Sequence, residues 1–214
     1  MSDYKIIFPN PELADEDGLL AIGGNLVPET LITAYSQGIF PWTVNPITWW
    51  SPNPRAIFDI TNFKLSSRMQ RYNKQLSLSF TLDKAFEEVM KNCAKPAPSR
   101  ESTWISKQFI KAYCNMHELG FAHSCEAWQN DELVAGVYGV SIGGFFAGES
   151  MFYKVSNSST LCLNYLITHL KKQGFLLFDS QVINPHTRQL GAIEISRNDY
   201  LTRLTQAVKL DCKF

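Results

Sequence analysis

Long apolar runs are missing from the sequence. No stretch of the 214 residues approaches the ~20 consecutive apolar residues that a membrane-crossing helix needs. The N-terminus, MSDYKIIFPNPELAD, has no basic region followed by an apolar run, so no signal peptide is expected there. Cysteine is sparse. Cys93, Cys114, Cys125, Cys162 and Cys212 are odd in number and scattered, with no CxxC spacing. This predicts a reduced, cytoplasmic setting without disulfides or structural zinc. An excess of either charge is missing too: 20 Lys and Arg balance 20 Asp and Glu. No global field therefore draws the chain onto nucleic acid or membrane, and any such contact must come from a local patch. Nor is there a GxSxG elbow, a Cys-His signature, a P-loop or a GxGxxG turn. Covalent catalysis is left without support, and chemistry that positions and polarises an already activated substrate is favoured.

What remains is globular. Hydrophobic residues make up 45% and charged residues 19%, enough apolar content for a substantial core. Up to about Arg55 the chain is dense in aromatics and turn signals, with prolines at 9, 11, 41, 46, 52 and 54. One short helix, Pro28 to Tyr35, stands out there, with proline in its first turn and Gly38 just past its end. The reading is a small irregular N-terminal domain over 1–55.

The texture then changes. AIFDI and LSLSFT read as strands, and NFKLSSRMQRYNK, LDKAFEEVMKNCA and SKQFIKAYCNMHELG as helices. The segment from 122 to 152 reads as successive strands turned at Asn130-Asp131 and Gly143-Gly144. A helix near Ser158 to Gln173, a strand FLLFDSQ and a closing helix around Arg197 to Thr205 complete the chain. This order predicts an α/β (α+β) domain over 56–214 with a largely antiparallel sheet.

Several residues are candidates for chemistry. Asp179 and Gln181 follow the apolar run Phe175 to Phe178, and in an extended strand their side chains would leave the same face. From spacing alone, capping of the following turn, which Asn184-Pro185 continues, is the favoured reading of the two. Glu149 is a lone carboxylate among Phe145, Phe146, Met151 and Phe152, suited to a ligand pocket or to a cross-strand cation. Trp42 and Trp104 lie in turn-rich contexts where an indole lines a cleft. Arg68, Arg71 and Lys74 share one side of a helix, as a solvated face or a phosphate-contacting stripe. His123 and His186 stand singly, without metal-ligand spacing.

The blocks FPNPELADEDGLLAIGGNL, AYSQGIFPW, WWSPNPR, STWIS, AYCNMHELGFAHSCEAW, LVAGVYGVSIGGFFAGESMF and FDSQVINPHTRQLGAIEISRNDYL, taken in order, resemble the bacterial leucyl/phenylalanyl-tRNA–protein transferases across nearly the whole chain. The resemblance implies a small N-terminal domain packed on a C-terminal domain similar to the acetyltransferase (GNAT) fold. It implies transfer of Leu or Phe, and Met less well, from aminoacyl-tRNA to the α-amine of proteins beginning with Arg or Lys, marking them for degradation. No cofactor, metal or membrane is implied. Asp179 and Gln181 are then the pair that orients the attacking amine and takes up its proton, with Glu149 facing the cationic acceptor or the terminal ribose. Val137, Met151, Leu163, Leu166, Leu170 and Phe178 become the side-chain pocket, Trp42 and Trp104 flank the terminal adenosine, and Asn184 hydrogen-bonds nearby. Arg68, Arg71 and Lys74 become tRNA phosphate contacts. One departure is visible: the family's Asn-Ala-Ser-Lys is Asn157-Ser158-Ser159-Thr160 here. Two alternatives stay open, an acetyl-CoA-dependent acetyltransferase and a non-catalytic adaptor for N-terminal Arg or Lys.

Overall fold

The computed structural model describes residues 6–96 and 103–214. Residues 97–102, in the KPAPSREST loop, and the side chain of Lys74 lie outside the described residues.

The proline-rich N-terminal stretch is more regular than its texture suggests. Around α1 (Pro28–Ser36) it forms a three-stranded antiparallel sheet, β1 (Leu19–Ile22), β2 (Phe40–Val44) and β3 (Ile47–Trp50), in the order β1-β3-β2. The prolines obscured it in the sequence. Pro41 sits on the edge strand β2, where a missing N–H costs no ladder bond, and Pro46 sits in the β2–β3 turn.

The rest of the chain builds one seven-stranded sheet. Its strands are β4 (Arg55–Phe58), β5 (Ser79–Leu82), β6 (Ala122–Gln129), β7 (Glu132–Ile142), β8 (Phe145–Tyr153), β9 (Leu177–Gln181) and β10 (Ile193–Ile195). They run in the order β10-β4-β9-β8-β7-β6-β5, and every pairing is antiparallel except β8 with β9. That parallel pair needs a crossover, which α5 (Ser158–Lys172) supplies. The expected hairpin turns are present: Asn130 and Asp131 both adopt positive φ, as a two-residue hairpin demands, and Gly143 does likewise. The remaining helices are α2 (Ser67–Gln75), α3 (Phe86–Cys93), α4 (Lys107–Glu118), α6 (Pro185–Gln189) and α7 (Arg197–Ala207). The side chains of Ser66, Ser106 and Ser196 cap α2, α4 and α7.

Both faces of the sheet are buried. Phe146, Phe178 and Val137 pack into a cluster with Leu163, Leu166 and Leu170 of α5. Phe145, Leu177 and Tyr138 pack on the other side with residues of α1, α3, α4 and α7. This two-sided burial explains the adjacent apolar Leu177 and Phe178, which pack on opposite faces; Leu176, just before β9, is exposed.

Candidate functional site

The parallel ladder between β8 and β9 ends at Ala147 opposite Asp179. Beyond that point each strand carries an irregularity. On β8, Gly139 pairs with Gly148 and Tyr138 with Ser150, so Glu149 is the extra residue of a bulge. On β9, Ile57 pairs with Asp179 and Ala56 with Gln181, so Ser180 is the extra residue. Bulges re-aim side chains and end pairing. Here they spread the adjacent strands, and a cavity of about 320 Å³ opens between them. A plain pleat would have placed Glu149 by strict alternation, whereas a bulge sets its direction.

The cavity is lined by Phe58, Val137, Met151, Leu163 and Phe178 on its apolar side. Glu149, Ser150, Ser180, Gln181, Asn184, His186, Thr187 and Trp104 add polar groups and an indole. Glu149 and Gln181 meet in this lining: the Gln181 Nε2 donates to Glu149 Oε1 at 2.8 Å. From behind, the Tyr113 hydroxyl reaches Glu149 Oε2 at 3.4 Å and is itself hydrogen-bonded to Tyr35 of α1. Burial of the carboxylate pushes Glu149 up to about 8, against the opposing pull of the Tyr35 hydrogen bond. Burial likewise raises both tyrosines well above their ordinary range.

Asp179 is placed differently from the expectation. Its side chain is 0% exposed and does not line the cavity. It accepts from Arg55 through both carboxylate oxygens, Nε to Oδ1 at 2.9 Å and Nη2 to Oδ2 at 2.6 Å, and from the Tyr200 hydroxyl at 2.9 Å. The bulge at Ser180 and the positive φ of Gln181, 55°, break the two-residue periodicity, so the two side chains do not emerge together. Asp179 still touches the site indirectly, because the Gln181 backbone N–H donates to its Oδ1 at 2.9 Å. Arg55 donates further to the Gly38 carbonyl at 3.1 Å and lies over the rings of Phe40 and Tyr200. Burial works against its charge, but Asp179 outweighs that and raises its pKa.

Other expected site residues divide between cavity and surroundings. Val137, Met151, Leu163, Phe178, Asn184 and Trp104 line the cavity. Leu166 and Leu170 do not; they lie further along α5 and are fully buried in the core beneath. Trp42 also stays outside, a partly exposed residue of β2 packed against Phe40 and Trp50. Arg68 and Arg71 are exposed on α2. Two neighbours on that helix's start, Ser66 and Met69, line a second cavity of about 540 Å³ together with Asn157, Ser159 and Thr160. His186 lines both cavities, so the two are neighbours.

Sequence reasoning passed over Arg55, Tyr35, Tyr113 and Tyr200, and set His186 aside as a single histidine. Arg55 closes the WWSPNPR block and His186 follows Asn184-Pro185, so both carried a positional signal. The tyrosines carried none, being indistinguishable from core residues. Among the described residues, the one set of convergent metal-ligand groups, Asp83, His117 and His123, has no member lining this cavity.

Comparison with known proteins assigns the family. The profile described as "Leucyl/phenylalanyl-tRNA protein transferase" matches residues 57–205, and that of the same family's N-terminal domain matches residues 24–53. The chain belongs to the leucyl/phenylalanyl-tRNA–protein transferase family. A family protein from a Shewanella species is 48% identical over 203 residues, covering 93% of this chain and 86% of its own. One from Shewanella pealeana is 47% identical over 201 residues, with 92% and 85% covered. Among solved structures, L-PGS from Bacillus licheniformis aligns with a TM-score of 0.46 at 11% identity, over 79% of this chain and 66% of its own. A GCN5-related N-acetyltransferase-like protein from Streptococcus suis aligns with a TM-score of 0.38 at 13% identity, over 77% and 62%. Among the described residues, no helix is long and apolar enough to cross a membrane.

Proposed function

We propose that this chain moves Leu or Phe, and Met less well, from aminoacyl-tRNA to the α-amine of proteins that begin with Arg or Lys, marking them for degradation in the cytoplasm. The observation that carries this reading is a cavity with apolar walls whose lining includes a hydrogen-bonded amide and carboxylate. An aminoacyl ester is already activated, so the enzyme's task is to align an amine with the ester carbonyl and remove a proton.

Val137, Met151, Leu163 and Phe178 receive the amino-acid side chain. Such a pocket selects by size, at about 1–3 kcal/mol per methylene, so overlap among Leu, Phe and Met follows. Gln181 orients the amine. Its Nε2 is held by Glu149, which leaves its Oε1 to accept an amine N–H. Glu149, in its ionised form, takes up the amine proton and returns it to the ribose oxygen that departs as the ester C–O bond breaks. Its pKa of about 8 nearly matches an α-amine, at ~7.7–8.0, so transfer between them costs little. Once ionised it faces the cationic acceptor. Asp179 has its oxygens committed to Arg55, Tyr200 and the Gln181 backbone, so in this scheme it positions Gln181 and does not carry the proton.

Trp104, in the cavity lining, stacks on the terminal adenosine, with Asn184 hydrogen-bonding nearby and Trp42 bordering from β2. Arg68, Arg71 and Lys74 on α2 hold acceptor-stem phosphates without reading sequence. Against the acetyl-CoA alternative stands the start of α5, VSNSSTLCL, which has no glycine of the kind that lets backbone amides cradle a pyrophosphate. The test is direct: radiolabelled Leu-tRNA or acetyl-CoA is incubated with the protein and an Arg-starting peptide. Label passing from Leu-tRNA to the peptide supports the proposal; label passing only from acetyl-CoA, or peptide binding without transfer, overturns it.

A further inference from the structure

Three polar side chains with no role above come together outside that cavity. Asp83 lies in the loop between β5 and α3, His117 in the last turn of α4, and His123 near the start of β6. One nitrogen from each imidazole and one oxygen of the carboxylate all lie within 4.8 Å of one another. His123 Nδ1 is 2.7 Å from Asp83 Oδ2, and His117 Nδ1 is 3.9 Å from Asp83 Oδ1. Metal–ligand bonds of ~2.0–2.2 Å in a tetrahedral site set ligand atoms about 3.3 Å apart, between these two separations. Reaching it requires His117 to turn its Nδ1 away from the Ala122 carbonyl, which lies 2.8 Å from that nitrogen.

The groups are also held in place as ligands usually are. The His123 ring lies stacked on Phe214 at 4.1 Å, and its Nε2 faces the Gly120 carbonyl at 3.1 Å. A backbone carbonyl on the far nitrogen fixes the ring and directs Nδ1 toward the carboxylate. His117 is stacked on Phe86 at 4.3 Å, and Asp83 Oδ1 accepts the Ser124 backbone N–H at 2.8 Å. Both nitrogens of His123 therefore face oxygen, so an electron-poor centre belongs between Nδ1 and the carboxylate. A proton or a metal ion can fill that place. All three side chains are partly exposed, so an ion can reach them from solvent.

We propose that Asp83, His117 and His123 form a binding site for a divalent transition-metal ion of the zinc class, with a fourth position left to water. Two imidazoles and one carboxylate suit zinc, cobalt or nickel better than calcium or magnesium. The site is independent of the transfer reaction. Its effect is mechanical: an ion there ties the end of α4 to β6 and to the loop before α3. Because α4 also carries Tyr113, which contacts Glu149, the ion stiffens the helix behind the catalytic cavity.

Calorimetric titration of the full chain with zinc chloride, after treatment with a chelator, tests this. The expected result is one equivalent bound, with a melting temperature that rises with zinc concentration as binding to the native state requires. His123→Gln and His117→Gln each weaken binding at least tenfold while still melting cooperatively without metal. Titration with cobalt checks the ligand set, since coordination by histidine and carboxylate gives no thiolate charge-transfer band. The proposal is overturned if wild type shows neither binding nor stabilisation, if the affinity survives both substitutions, or if cobalt reports thiolate ligation.

Discussion

Replacing Arg55 with methionine strands a carboxylate in the core. Arg55 and Asp179 are 1% and 0% exposed and joined by two short hydrogen bonds. Breaking a buried pair by removing one partner costs about 3–5 kcal/mol, because the remaining charge is left uncompensated. For a domain of this size, each kcal/mol lowers Tm by roughly 2–4 °C, so Arg55→Met should lower it by about 6–20 °C. Asp179→Leu should cost a similar amount, leaving the guanidinium unpaired. The double variant should cost several kcal/mol less than the two single losses added together, since it buries no lone charge. It still leaves the Tyr200 hydroxyl, the Gly38 carbonyl and the Gln181 N–H short of partners, at about 1–3 kcal/mol each. Urea unfolding of the four proteins measures this cycle. Single losses near 1 kcal/mol, or strict additivity, would refute the view that this pair is desolvated and coupled.

Other outcomes follow from the same geometry. A Cβ at Gly148 would sit 2.6 Å from Phe178 Cε2, so Gly148→Ala should drive that ring into the cavity. Transfer from Phe-tRNA should fall by about 10–200-fold in kcat/KM, and Leu should suffer less. Burial raises Glu149 from 4.5 to about 8, so between these pH values the folded chain holds a proton that the unfolded chain releases. The stability tied to that proton is complete below about 4.5 and lost as pH rises toward 8. Wild type should therefore lose stability relative to Glu149→Gln between pH 5 and 8.5 in urea unfolding; parallel curves would count against the shifted carboxylate. If α2 meets acceptor-stem phosphates, Arg68→Ala with Arg71→Ala should flatten the salt dependence of tRNA binding by a slope of about 1–2 while leaving kcat unchanged. An unchanged slope places the RNA elsewhere.

The sequence made some of this structure legible and hid the rest for identifiable reasons. Hairpin residues Asn130-Asp131 and Gly-terminated helices announce themselves locally, and α5 and α7 fall where the periodicity places them, while α6 and β10 were not read. The N-terminal sheet was hidden because Pro41 and Pro46 read as breakers, although an edge strand and a turn tolerate them. Two bulges shaped the site, and a bulge alters register without leaving a pattern in hydrophobicity. Alternation therefore placed Asp179 beside Gln181, when the extra residue at Ser180 separates them. Gly148 next to Glu149 was the one local hint of irregularity on β8. Leu166 and Leu170 share the periodicity of Leu163, and nothing in one dimension shows that only Leu163 reaches the cavity. The Arg55–Asp179 pair spans 124 positions and is invisible to any local pattern.

The central claim is that the opening between β8 and β9 receives an esterified amino acid beside Gln181 and Glu149. A structure with a non-hydrolysable phenylalanyl-adenosine analogue tests it most directly. The account predicts the phenyl ring among Val137, Met151, Leu163 and Phe178, the base against Trp104, and the ester carbonyl within reach of an amine held by Gln181. An analogue bound elsewhere, or with its side chain outside that apolar wall, would contradict it.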